Sequence, residues 1–120
     1  MKKKENPLFG ALRPLDVDID GTLSRFVENE ELYEKFLRRY PDDGLLPPIM
    51  EAFENKDEEA LLKTLHKMKG TSMNLGINRI SEQCKDIATV IRGKEKIDLT
   101  PFIEKLKGDF NEVCETIINT

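Results

Sequence analysis

The sequence predicts an all-α protein, an antiparallel four-helix bundle core with short additional N-terminal helices. Three observations carry this prediction. Apolar residues recur in steps of three and four from about residue 21 to the end. No segment alternates with period two over a useful length. Asn, Asp, Pro and Gly stand where they cap helices and leave short connections between them. The chain has 120 residues, enough for one domain that buries a core without disulfides or a structural metal. It divides into an irregular lead segment, 1–20, broken by Pro7, Gly10 and Pro14, and a helical bundle, 21–120.

A short helix is expected over Thr22 to Val27. Asn29 caps the next, with Glu30 and Glu31 favourable at the positive end of its dipole. Tyr33, Phe36, Leu37 and Tyr40 form its apolar face, and Pro41-Asp42-Asp43-Gly44 ends it. Pro47 and Pro48, tolerated in a first turn, open a short helix carrying Ile49, Met50 and Phe53. Asp57 caps the following helix, whose stripe is Leu61, Leu65, Met68, Ser72 and Leu75, the spacing of a bundle interior. Gly76 occupies the C-terminal cap position. Ile80, Cys84, Ile87 and Ile91 mark the next helix, closed by Arg92-Gly93. Thr100 and Pro101 read as N-cap and first residue of the last helix. Ile103, Leu106, Phe110, Val113 and Ile117 run down its inner face, straight through Gly108.

Charged residues make up 35% of the chain and the net charge is −4. A nucleic-acid partner calls for a basic excess, so none is expected. No apolar run approaches the roughly 20 residues of a membrane span. Met1 and its three lysines lead into Glu5, Asn6 and Pro7 rather than an export signal's apolar core. The cytoplasm is therefore the expected compartment; the lysine-rich start hints at a genuine N-terminus and a free-standing protein, and a fragment of a larger kinase would read the same way. Cys84 and Cys114 are far apart, without a nearby His to complete a metal site. Each lies beside an apolar stripe and is expected to behave as a small hydrophobe.

The chain has a single histidine, His66. At 100° per residue it lies roughly 130° from the centre of its helix's apolar stripe, which puts it at the surface. Leu62, Lys69, Gly70 and Met73 share its flank. An ordinary surface histidine does not account for Gly70, because glycine inside a helix costs about 1 kcal/mol relative to alanine. Beside an exposed imidazole, however, glycine leaves room for a partner to approach. Lys69, one turn on, places an ammonium beside any anion attached to the ring. Between residues 61 and 85 stand Lys63, Lys67, Lys69, Arg79 and Lys85 against the single acid Glu82. The acidic chain thus has a basic region around a neutral imidazole, which is a good nucleophile. No Gly-rich nucleotide loop or acidic metal cluster accompanies it. That suits a phosphoryl carrier completed by its partner better than an autonomous enzyme.

His66-Lys67-Met68-Lys69-Gly70-Thr71-Ser72, followed by Asn74-Leu75-Gly76, resembles the signature of histidine-containing phosphotransfer (HPt) domains. The resemblance spans roughly residues 15–119. It implies a four-helix bundle that works in phosphorelay signalling, taking a phosphoryl group from a receiver-domain aspartate and passing it to another receiver. His66 would be the phosphoacceptor, Lys69 the charge stabiliser, and Gly70 the clearance for the partner. Leu62, Lys63, Lys67, Met73 and Arg79 are expected to face that partner. The receivers, of response regulators or hybrid histidine kinases, would supply Mg²⁺, and this chain would bind no cofactor or metal itself. Many family members carry Gln or Glu 22 residues after the histidine, bonding the other ring nitrogen. Here that position is Ala88, and neither Gln83 nor Glu82 is assumed to replace it.

Other readings compete. Asp16-Val17-Asp18-Ile19-Asp20-Gly21 looks like the start of a calcium loop, but its twelfth position is Val27 rather than Glu. An acidic lead into the first helix accounts for it better. A helical adaptor that docks partners without phosphorylation would make His66 incidental. Direct phosphorylation by a kinase domain is a variant of the carrier reading. A monomer is the default, since no extra apolar stripe is visible.

Overall fold

Helix begins earlier than the prolines and glycine of the lead suggest. The computed structural model describes residues 4–94 and 96–120, so the lysine-rich start lies largely outside the described residues. Pro7–Leu12 form helix α1, followed by a 3₁₀ turn at Arg13–Leu15. The Asn6 side chain accepts the Leu8 N–H at 2.9 Å, and Pro7 sits in the first turn, where no N–H is needed. Leu8, Phe9 and Leu12 are buried, and α1 packs along the last helix. Burial of those three side chains outweighs the weak local propensity, which corrects the expectation of an irregular segment over 1–20.

Helix α2, Ile19–Arg25, starts three residues before the expected Thr22 because Asp18 is its cap. The Asp18 carboxylate accepts the Gly21 N–H at 3.0 Å, and Asp20 pairs with Arg13 at 2.8 Å. These acids of the calcium-like stretch therefore serve as helix cap and ion-pair partner.

Asn29 caps α3, Glu30–Arg39, as expected. Tyr33, Leu37 and Tyr40 are buried, whereas Phe36, expected inside with them, is 38% exposed at the edge of the stripe. A 3₁₀ turn at Tyr40–Asp42 and Gly44, with φ +63°, separate α3 from α4, Leu46–Glu54. Asp57 caps α5, Glu58–Asn74, and α6 spans Asn78–Arg92. Helix α7 covers Thr100–Asn119. Thr100 is its first residue rather than its cap, and the Asp98 carboxylate accepts the Thr100 N–H at 3.0 Å.

The helices pack as a bundle in which α5 lies against α4 and α6, and α7 against α6, α1 and α3. Tyr33 donates its hydroxyl to the Leu75 carbonyl at 2.7 Å. Tyr40 and Ser72 hydroxyls pair at 2.6 Å, and Arg38 reaches the Ile117 carbonyl at 3.4 Å. These bonds seat α3 on the C-terminal ends of α5 and α7, while α4 packs on the rest of α5. The predicted stripes of α5, α6 and α7 are all buried, as are the free thiols of Cys84 and Cys114.

The lead segment is latched to the α5–α6 turn. Val17 and Ile77 form an isolated antiparallel bridge. Asp18 N–H donates to the Gly76 carbonyl at 2.8 Å, and Asn78 N–H to that of Asp16 at 3.1 Å. Gly76 has φ +75°, and a Cβ there would collide with Thr22 Oγ1 and the Asp18 carbonyl. Only glycine meets both demands. Among the described residues, no helix is long and apolar enough to cross a membrane.

Candidate functional site

Helix α5 presents His66 from its middle, exposed, because Leu61, Leu65, Met68 and Ser72 are drawn into the core on the opposite side. The helix is therefore fixed from behind while the imidazole faces solvent. Among the described residues, none hydrogen-bonds the ring.

Two depressions share His66. The smaller, about 30 Å³, lies between α5 and α6 and is walled by Leu62, Lys69, Cys84, Lys85, Ala88 and Arg92. The larger, about 490 Å³, lies toward α4, where Leu45 and Pro48 face Lys63, Thr64 and Lys67. Lys69 is half-buried. Burial pushes the Cys84 thiol up to about 12 against the opposing pull of the Lys69 charge. Lys69 lines the α5–α6 groove together with His66. Gly70 is exposed, and a Cβ built on it meets nothing within 4 Å. Among the described residues, no close contact calls for glycine at that point.

Most residues singled out in the sequence gather here. Leu62, Lys63, Lys67 and Lys69 line the two depressions, and Met73 is 48% exposed two turns beyond His66. Arg79 does not join them. It lies 3.7 Å from Glu112 of α7, at the opposite edge of α6, so its contribution to the basic face is corrected. Lys85 was read only as part of a charge excess and Arg92 only as a helix end, yet both wall the groove beside His66. The missed signal was register: folding α5 and α6 back to back about Gly76 sets His66 opposite Ala88, with Lys85 and Arg92 one turn to either side. Ala88 does face the site. Gln83 donates to Asp109 of α7 at 2.6 Å and is thereby turned away from His66.

Among the described residues, no group of three or more His, Cys, Asp or Glu could hold a metal ion. The chemical resources of the site are an accessible nucleophilic nitrogen, nearby cations and open space.

Compared with known protein families, residues 31–116 match the Hpt domain. The match covers well over half of the chain, and the protein belongs to the Hpt domain family. Comparisons with curated proteins and with solved structures gave no match. Membership brings a general role in histidine phosphotransfer within phosphorelays, as a phosphocarrier rather than a classical enzyme. Hpt domains interact with receiver domains of two-component systems.

Proposed function

We propose that His66 accepts a phosphoryl group from the phospho-aspartate of one receiver domain and returns it to the aspartate of another. The observation that carries this reading is an exposed imidazole on a firmly seated helix, with open space over Gly70 one turn away. A ring nitrogen attacks phosphorus, an N–P bond forms, and the O–P bond to the donor carboxylate breaks. The freed carboxylate stays with the receiver. The reverse step delivers the group onward. Lys69 stabilises the phosphoryl charge, with Lys85 and Arg92 adding positive potential across the groove. Gly70 lets the receiver backbone come close. The receiver brings Mg²⁺ and the acidic pocket, so this chain supplies nucleophile and surface alone. The cytoplasm, where receivers act, is the proposed location, and the monomer the proposed working form.

The test is transfer of label from a panel of phosphorylated receivers with Mg²⁺, comparing wild type with His66→Gln. Acid-labile label on wild type alone supports the carrier. A folded protein that no receiver labels shifts the reading to direct phosphorylation by a kinase, or to an adaptor that binds receivers without modification.

A further inference from the structure

The turn between α2 and α3 builds one wall of a depression of about 530 Å³. Val27 and Glu28 both take left-handed backbone, with φ +53° and +58°, and so fold the half-buried Phe26 ring back against α3. There it stacks on Tyr33 at 5.3 Å and stands 5.9 Å from Phe36. Tyr33 is itself fixed, because its hydroxyl donates to the Leu75 carbonyl at 2.7 Å. The aromatic wall is therefore preformed, which spares a ligand the cost of ordering it. Leu75 lies opposite on α5, where Thr71 and Asn74 add a hydroxyl and an amide.

Two opposite charges line the same depression, Arg39 and Asp43. They stand four residues apart where α3 runs on into the 3₁₀ turn, a spacing that puts Cβ atoms about 6 Å apart. They do not pair with each other, and among the described residues neither has another ion-pair partner. The Arg39 guanidinium lies instead 5.8 Å from the Phe36 centroid.

These features restrict what the depression can hold. A ligand with a single charge gains from one of the two groups and loses to the other. A small zwitterion whose charges are close together satisfies both. Its uncharged part must be apolar, to cover Phe26, Phe36 and Leu75. The volume falls within the range of about 300–1,000 Å³ usual for small-molecule sites. We propose that this depression binds a free α-amino acid with an aromatic or branched apolar side chain. Arg39 takes the carboxylate, Asp43 the ammonium, and the two phenylalanine rings the side chain. The site begins at the residue after Gly70, which gives the protein a small-molecule input separate from the chemistry at His66. Both charges are exposed, so the affinity is modest, about millimolar.

The test is a titration of the isotopically labelled protein with L-phenylalanine and with L-leucine, followed by amide NMR shifts. N-acetyl-L-phenylalanine, which lacks the ammonium, and L-phenylalanine amide, which lacks the carboxylate, serve as controls. The expected result is saturable shifts centred on Phe26, Phe36, Arg39 and Asn74, with each control bound about fivefold more weakly. Two variants assign the charges. Arg39→Gln should weaken phenylalanine without further weakening its amide, and Asp43→Asn should abolish the preference over the N-acetyl compound. Both positions are exposed, so the variants keep the fold. The absence of saturable shifts with either amino acid up to about 50 mM overturns the proposal. Equal binding of the controls overturns it too, because it marks adsorption to apolar surface, and so do shifts that saturate elsewhere on the molecule. Shifts at this site that follow protein concentration without ligand assign the depression to a second copy of the chain and overturn it as well. Binding is read without phosphorylation, so none of these outcomes bears on His66 as phosphoacceptor.

Discussion

His66 and Gly70 have opposite relations to the fold. The imidazole touches little of the chain, so His66→Gln should change stability by no more than about 0.5 kcal/mol while abolishing acid-labile phosphorylation. Thermal melting and phosphate labelling check both halves, and a large drop in melting temperature would show that the ring is structural. Gly70 sits in open space, so its conformational freedom is a cost without an internal return. Gly70→Ala should therefore stabilise the protein by about 1 kcal/mol. Gly70→Gln should keep the helix and slow transfer from receivers, because its longer side chain fills the clearance. Chemical denaturation and transfer kinetics on the two variants separate the effects, and unimpaired transfer in Gly70→Gln would remove the docking role. Val27 is a third case of local cost. A β-branched residue at φ +53° is strained by about 1–2 kcal/mol, and Val27→Asn should melt higher than wild type.

Helices were legible where their signals are local. Asn29 and Asp57 cap the helices they were expected to cap, since a capping side chain bonds an N–H only two or three residues away. The stripes of α5, α6 and α7 were legible because a helix's period is set by its own backbone. Helix α1 was not, since what holds it is burial of Leu8, Phe9 and Leu12 under elements distant in sequence. The latch at Gly76 belongs to the same class. Gly76→Ala meets both a left-handed backbone and the collision with Thr22 and Asp18, so it should cost more than about 2 kcal/mol. Denaturant midpoints check this. A near-neutral result would mean that the lead segment releases the turn freely, and that α2 does not hold Phe26 and Val27 in position.

At the scale of the whole molecule, burial sets the response to pH. It pushes the Cys84 and Cys114 thiols from 9.0 up to about 12, and the Tyr33 hydroxyl from 10.0 to about 12; Tyr40 is also raised. A folded-state value above the unfolded one means that this stability is complete below about pH 9 and is lost as the pH rises toward 12. Carboxylates act at the other end. Asn6 and Arg38 hold Glu34 down. Burial opposes ionisation of Asp109, and Lys105 with Gln83 outweighs it. Their contribution is present above the ordinary carboxylate range and is lost as the pH falls through the lowered values. Melting temperature should therefore decline on both sides of neutrality. A flat profile between pH 9 and 12 would contradict the burial of the two thiols.

By itself the sequence determined the helical period, most caps, the inner stripes of the long helices and the outward position of His66 beside Lys69 and Gly70. Each follows from neighbours within a turn or so along one chain, where geometry is nearly invariant. The tertiary structure alone decided that the lead is a packed, latched helix pair and that Arg79 turns toward α7. It also brought Lys85 and Arg92 beside His66 and gathered Phe26, Phe36 and Asn74 around one groove. These outcomes depend on which helix lies against which and in what register, and no periodicity within a single helix encodes that.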